Sequence, residues 1–377
     1  MKIRFFYHSL VSDWNHGNAH FLRGVVAELL EGGHQVDVYE PAEGWSRENL
    51  IAQHGTGPLQ DFAAAYPELT STLYDPATLD LDAALAGAEL VIVHEWNAHD
   101  LVARIGAHRR KHRYVLLFHD THHRLVSDLR AMRAYDLSGY DGVLAFGQVL
   151  RDRYLEAGLT ARAWVWHEAA DVRRFHPLPE IVPTRDLVWI GNWGDDERSD
   201  ELHEFLIEPV RTLGLQATVF GVRFPETARR ALRKAGIEYR GWLANFDVPN
   251  VFAAHRVTVH VPRRPYVLEL PGIPTIRPFE ALACGIPLVS APWEDSENLF
   301  TAGRDFLTAN DGNEMCQHLG ELLNAPLRRA ELAAHGLATI HARHTCAARV
   351  SELLTIHAEV AAELVPPRDR SLTRLSS

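Results

Sequence analysis

Residues able to hold a charged, hydroxyl-rich ligand crowd into one stretch, GIPTIRPFEALACGIPLVSA at positions 272–291. Gly272 allows a ligand to approach the backbone. A short helix opened by Pro278 and closed by Gly285 offers unpaired N–H groups and the positive end of a dipole. Glu280, three positions past Arg277, falls in the first turn of that helix, where its carboxylate can accept two hydrogen bonds from a vicinal diol such as a ribose. Together these groups describe a nucleotide site. A Glu in a first turn also serves as a capping or dipole residue, and Gly-Ile-Pro after a helix is ordinary punctuation. The segment alone leaves both readings open.

Histidine is abundant, 22 in all. The group His119, His122 and His123 invites a metal reading, but no His/carboxylate spacing matches a standard site, so no metal is expected. Cys284, Cys316 and Cys346 are far apart and form no CxxC pair, which reads as buried cytosolic thiols rather than zinc ligands or disulfides.

The elements that must position these groups repeat as strand, loop, helix. Strands are expected at 2–7, 35–39, 89–93, 114–118, 142–146 and 163–166, with helices at 19–30 and near 100–111, 124–134 and 148–157. A Pro-rich linker at 176–183 interrupts the pattern. It resumes with strands at 186–190, 216–220, 237–240, 257–261 and 288–291 and helices at 201–212, 225–235, 248–254, about 326–341 and 346–364. PPRDRSLTRLSS reads as a loose tail. The fold expected is α/β, two Rossmann-like doubly wound domains facing a central cleft, with parallel strands and right-handed crossovers. In such sheets ligands sit beyond the carboxyl ends of the strands. HSLVSDWNHGN (8–18), HEWN (94–97), HDTHHR (119–124), GNWGDDERSD (191–200), GVRF (221–224) and PRRPY (262–266) all follow strands and point toward one cleft.

At 377 residues the chain suits two domains. Its 38 Lys+Arg against 49 Asp+Glu give a net charge of −11, which argues against a nucleic-acid partner. With 46% hydrophobic residues and no 18-residue apolar run, it reads as a soluble, cytoplasmic protein. The basic run Arg109-Arg110-Lys111-His112-Arg113 reads as a solvated helix end, with peripheral membrane contact as the alternative.

The order of these features resembles the GT-B glycosyltransferases, more narrowly the retaining group 1 (family four) enzymes and the branch similar to the spore maturation protein CgeB. FEALACGIPLVSA (279–291), EAADVRRFHP (168–177), LFHDTHH (117–123) and GHQVDVYEP (33–41) carry the resemblance. It implies an acceptor-side domain at 1–177, a donor domain at 178–345, and a last segment, 346–377, whose helix packs back toward the first domain. It implies a nucleotide diphosphate-sugar donor, no required cofactor or metal, and a small-molecule, glycan or protein acceptor.

Carried over by residue, Glu280 binds the donor ribose, and amides around Ile276 to Phe279, preceded by Gly272 and Thr275, meet the diphosphate. Gly191 and the cations Arg198, Arg263, Arg264 and Arg277 are candidates for the phosphates. His119 is expected on the transferred sugar. Asp13, Trp14 and His16 are expected on the acceptor, with His94, Glu95 and Asp120 nearby and Asn18 as a helix N-cap. In a retaining mechanism the acceptor attacks on the leaving-group side and the departing phosphate oxygen takes its proton. The family's first Glu of its E-x7-E pattern falls at position 272, here Gly272, with Glu269 out of register. The alternatives are a GT-B sugar-nucleotide epimerase or phosphorylase, or a catalytically silent nucleotide- or glycan-binding protein.

Overall fold

A computed structural model describes residues 1–364; PPRDRSLTRLSS, read above as a tail, lies outside the described residues. Seven parallel strands make the first sheet: β1 (Lys2–Phe6), β2 (Gln35–Pro41), β3 (Ser71–Tyr74), β4 (Leu90–His94), β5 (Val115–Asp120), β6 (Gly142–Ala145) and β7 (Ala163–Val165), in the order 3-2-1-4-5-6-7. Six make the second, also parallel: β8 (Arg185–Ile190), β9 (Ala217–Phe220), β10 (Glu238–Tyr239), β11 (His255–His260), β12 (Leu288–Ser290) and β13 (Leu307–Thr308), in the order 10-9-8-11-12-13. Every residue of β4 and β5 is buried, as near-continuous apolar strands covered on both faces must be. Each order reverses once, between β1 and β4 and between β8 and β11. Such switch points open a crevice at the strands' carboxyl ends.

The helix Cys346–Leu364 lies against the helix Ala19–Glu31, and Cys346, Leu353 and Val360 share one core with Phe21, Leu22 and Val25. Gly24 makes the contact possible, since a Cβ there would sit 2.4 Å from the Cys346 Sγ. Backbone pairing between Ala170 and Thr345 sets the two chain crossings between the sheets side by side.

Several local expectations are corrected. The helix expected from Pro278 begins earlier, at Ile276, so Glu280 stands in its second turn. The helix expected over 124–134 is broken by Asp128, whose carboxylate caps the second piece through the Ala131 amide. The helix expected over 201–212 contains a π segment, His203–Ile207, where Pro209 supplies no N–H to the preceding turn. Asn18 makes no capping bond. Cys284 and Cys346 are buried, whereas Cys316, expected buried, is partly exposed. Among the described residues no helix is long and apolar enough to cross a membrane.

Candidate active site

The carboxyl ends of the two sheets face one another across a cavity of about 540 Å3. Its first wall comes from the loop after β1 (His8, Asp13, Asn15 to Asn18), from Thr121 and His122 after β5, and from Glu168 after β7. Its second wall comes from Gly191, Asn192 and Arg198 after β8, Arg223 after β9, His260 to Arg263 at the end of β11, and Thr275 to Arg277.

Positive charge gathers on the second wall. Arg198 is held by the carbonyl oxygens of Val261 (2.8 Å) and Asn192 (2.6 Å), and its guanidinium lies over the Trp189 ring at 5.1 Å. Burial, then the charges of Arg263 and Arg277, pull its pKa down to about 9. Arg263 donates to Glu197 (2.7 Å) and to the Asn192 side chain (2.8 Å). Beside these cations the helix Ile276–Ala283 starts at Thr275, whose φ of +61° is strained for a β-branched residue and whose side chain makes no capping bond. His260 on the same wall is neutral: burial first, then Arg198 and Arg277, lower its pKa to about 3. Arginines crowded this closely in a partly dry cleft suit a polyanion that binds between them.

Glu280 does not line the cavity. It is fully buried, accepting from Asn245 Nδ2 at 2.7 Å and from Arg277, with His20 Nδ1 3.5 Å away. Burial raises its pKa, against the opposing pull of Arg277.

Of the side chains singled out in the sequence, Asp13, His16, Gly191, Arg198, Arg263, Thr275, Ile276 and Arg277 meet on the cavity walls. His119 stands behind the first wall, its ring 4.8 Å from Trp166 and 5.3 Å from His94, with no partner for either nitrogen among the described residues. Burial lowers its pKa to about 3. His94 reaches the cavity only through Thr121, whose hydroxyl lies 3.0 Å from Nε2 and also takes a hydrogen bond from Asn18. Asp120 turns inward to the Tyr154 hydroxyl (2.6 Å), and Glu95 pairs with Arg124. Burial lifts the pKa of Asp120 to about 6 and, with Asp120, that of Glu95 to about 8. Trp14 is buried under Trp45, and Phe279 belongs to the second core beside Phe300. Gly272, expected near the ligand, packs instead against protein: at φ +85° its missing Cβ would meet Ser296 Oγ at 2.8 Å and Glu297 at 2.9 Å. Arg264 bonds the Glu197 carbonyl oxygen at 3.1 Å.

Sequence reading pointed the segments of His8 and Trp96 toward the cleft but missed the aromatic rim they form with Trp45 and Trp242. Trp45 and Trp96 are 45% and 41% exposed at the cavity with His8 between them, and Trp242 joins from the second domain. It also missed Glu168 as a cavity residue, three positions past the end of β7.

Residues 198–355 match the family model of glycosyl transferase-like proteins. A search of curated proteins finds no match. Among solved structures, sucrose-phosphate synthase of Thermosynechococcus elongatus is similar with a TM-score of 0.67 at 14% identity, over 96% of this chain and 100% of that one. The fold is GT-B. Two further GT-B structures are HepE of Anabaena in complex with UDP and glucose (TM-score 0.65, 15% identity, 95% of this chain and 100% of that) and the β-glucosyltransferase of phage T4 (0.59, 14%, 96% and 99%). In this GT-B chain the arginines and the Thr275 turn belong to the second domain, and the histidine and tryptophan cluster mostly to the first.

Proposed function

We propose that the protein is a glycosyltransferase that moves a sugar from a nucleoside diphosphate-sugar, held by the second domain, to an acceptor hydroxyl held by the first. The convergence of Arg198, Arg263 and Arg277 on one cavity wall, beside an uncapped helix start, carries this reading. A departing diphosphate develops negative charge, and three guanidiniums on this wall supply the compensation without a metal ion. Uridine diphosphate is the nucleotide to test first, since HepE was solved with it and the phage enzyme with UDP-glucose. Transfer with retention follows from the family resemblance. The rim of Trp45, Trp96 and His8 is the acceptor side, where exposed indole faces suit a flat apolar surface.

Glu280 is the ribose ligand in this reading, with one adjustment. Arg277 turns from the carboxylate to the phosphates, which frees Oε2 for the ribose hydroxyls while Asn245 holds Oε1. Titration calorimetry with UDP on Glu280→Ala is expected to show at least tenfold weaker binding in a protein that still melts cooperatively. Unchanged affinity would reduce Glu280 to an interior ion-pair partner.

A further inference from the structure

Glu168 is 2% exposed, lines the cavity, and has no hydrogen-bond partner for either carboxylate oxygen among the described residues. Buried polar atoms are nearly always paired, so an orphaned carboxyl on a cleft wall points to a partner that arrives from the cleft. The wall has one other carboxyl, Asp13, and it is fully engaged: it accepts from Arg23 (3.0 Å), the Trp242 indole (3.1 Å) and the Asn245 amide (2.9 Å). Glu280 does not line the cavity; it sits behind the wall, where it accepts from Asn245 and Arg277. Glu168 is therefore the one carboxyl lining the cavity that has no partner among the described residues.

Its chemistry narrows the ligand. Burial raises its pKa well above the usual carboxylate range, the charge of Glu280 adds to this, and Arg277 opposes it. The shift favours the carboxylic acid, which carries one O–H donor and one carbonyl acceptor. That pair matches a hydroxyl, which also donates and accepts, and does not match a phosphate, which would find a cation elsewhere on the wall.

We infer that Glu168 recognises hydroxyl groups of the transferred sugar and so decides which sugar the cleft accepts. The inference rests on the reading of the cleft as a nucleotide-sugar site. Its test uses the full-length protein, the variants Glu168→Leu and Glu168→Gln, and calorimetric titration with UDP, GDP, ADP and dTDP and their glucose conjugates. In Glu168→Leu the dissociation constant of the best nucleoside diphosphate is expected to stay within threefold of wild type. The ratio of sugar-conjugate to diphosphate constants is expected to shift at least tenfold against the sugar. Glu168→Gln keeps a donor and an acceptor, so its ratio is expected to stay within threefold. Without ligand, Glu168→Leu is expected to melt no lower than wild type, because it removes an unpaired buried group. An unchanged ratio in Glu168→Leu, a parallel loss for diphosphate and conjugate, or a lowered melting temperature overturns the assignment. If wild type binds no nucleotide of the panel, the reading of the cleft fails and the assignment falls with it.

Discussion

Arg198 combines two conditions that usually conflict: it is half-buried in the cleft wall, and its strongest charge neighbours are other arginines. A binding protein tolerates such repulsion when an anion relieves it. Arg198→Met is therefore expected to weaken UDP binding at least tenfold in a titration, and equal affinity would move the phosphates away from this wall. The residues that sequence reading rightly placed in the cleft lie in the loop after β1, after β8 and β11, and at the Thr275 turn, where the chain leaves the sheet and most side chains have only the cavity to face. It failed for His119 and His94, which are cross-strand partners at the ends of β5 and β4 and still belong to the sheet interior. The side chains that reach the cavity come two or three positions later, as Trp96, Thr121 and His122. Phe279, three positions past Ile276, faces the core because its helix presents its first turn, and not its length, to the cavity. The order of types along a loop does not reveal which of them turn inward.

Elements with strong patterns were legible, and the strands of both sheets except β3 and β13 fall where apolar runs predict them. The missed elements had weak signals. β3 is a four-residue edge strand, largely exposed, and the helices Trp45–His54 and Gly57–Ala65 bury few side chains. The helix Gly312–Asn324 was also missed, although its start carries a signal: Asp311 caps the Glu314 amide and Glu314 bonds back to the Asn310 amide. The helix Arg264–Glu269 carries Tyr266 onto the first domain's core, a tertiary fact that no local pattern encodes. The loop before Thr275 sets the shape of the second wall, and its weak point is Gly272. Gly272→Ala combines φ +85° with contacts of 2.8 and 2.9 Å, so chemical denaturation is expected to show a loss of about 1–3 kcal/mol. A loss below 0.5 kcal/mol would mean that the loop relaxes freely.

Across the whole molecule the cleft is fastened by polar contacts as well as by packing. Asp13 holds Trp242 and Asn245, His20 approaches Glu280, and Glu297 reaches both His167 (3.0 Å) and the Gln148 amide (2.7 Å). The molecule also holds many buried histidines whose protonation is disfavoured. His8, His16, His20, His94, His119, His122, His260 and His344 all have lowered pKa values, burial being the main cause. Below about pH 6.5 the unfolded chain protonates these rings while the folded one resists, so stability falls with pH. Glu95, Asp120, Glu168 and Glu280 act in the opposite sense, holding protons in the folded state above pH 4. With His34, His108 and His255 added to the lowered rings and Glu28 and Asp247 to the raised carboxyls, the former still outnumber the latter, which leaves net proton uptake on unfolding, each proton worth about 1.4 kcal/mol per pH unit. The melting temperature is therefore expected to fall steadily from pH 6.5 to 4.5, and a flat or rising profile would contradict the burial of these rings.

The helix Cys346–Leu364 also bears on how the chain is made. It leaves the ribosome long after the helix Ala19–Glu31, yet its Cys346, Leu353 and Val360 complete that helix's core. At about 5–20 residues per second, the gap from residue 31 to residue 346 lasts roughly 15 to 60 s. Throughout that interval Phe21, Leu22 and Val25 lack their final cover, so the domain translated first is finished last, and its nascent form presents an apolar strip to chaperones.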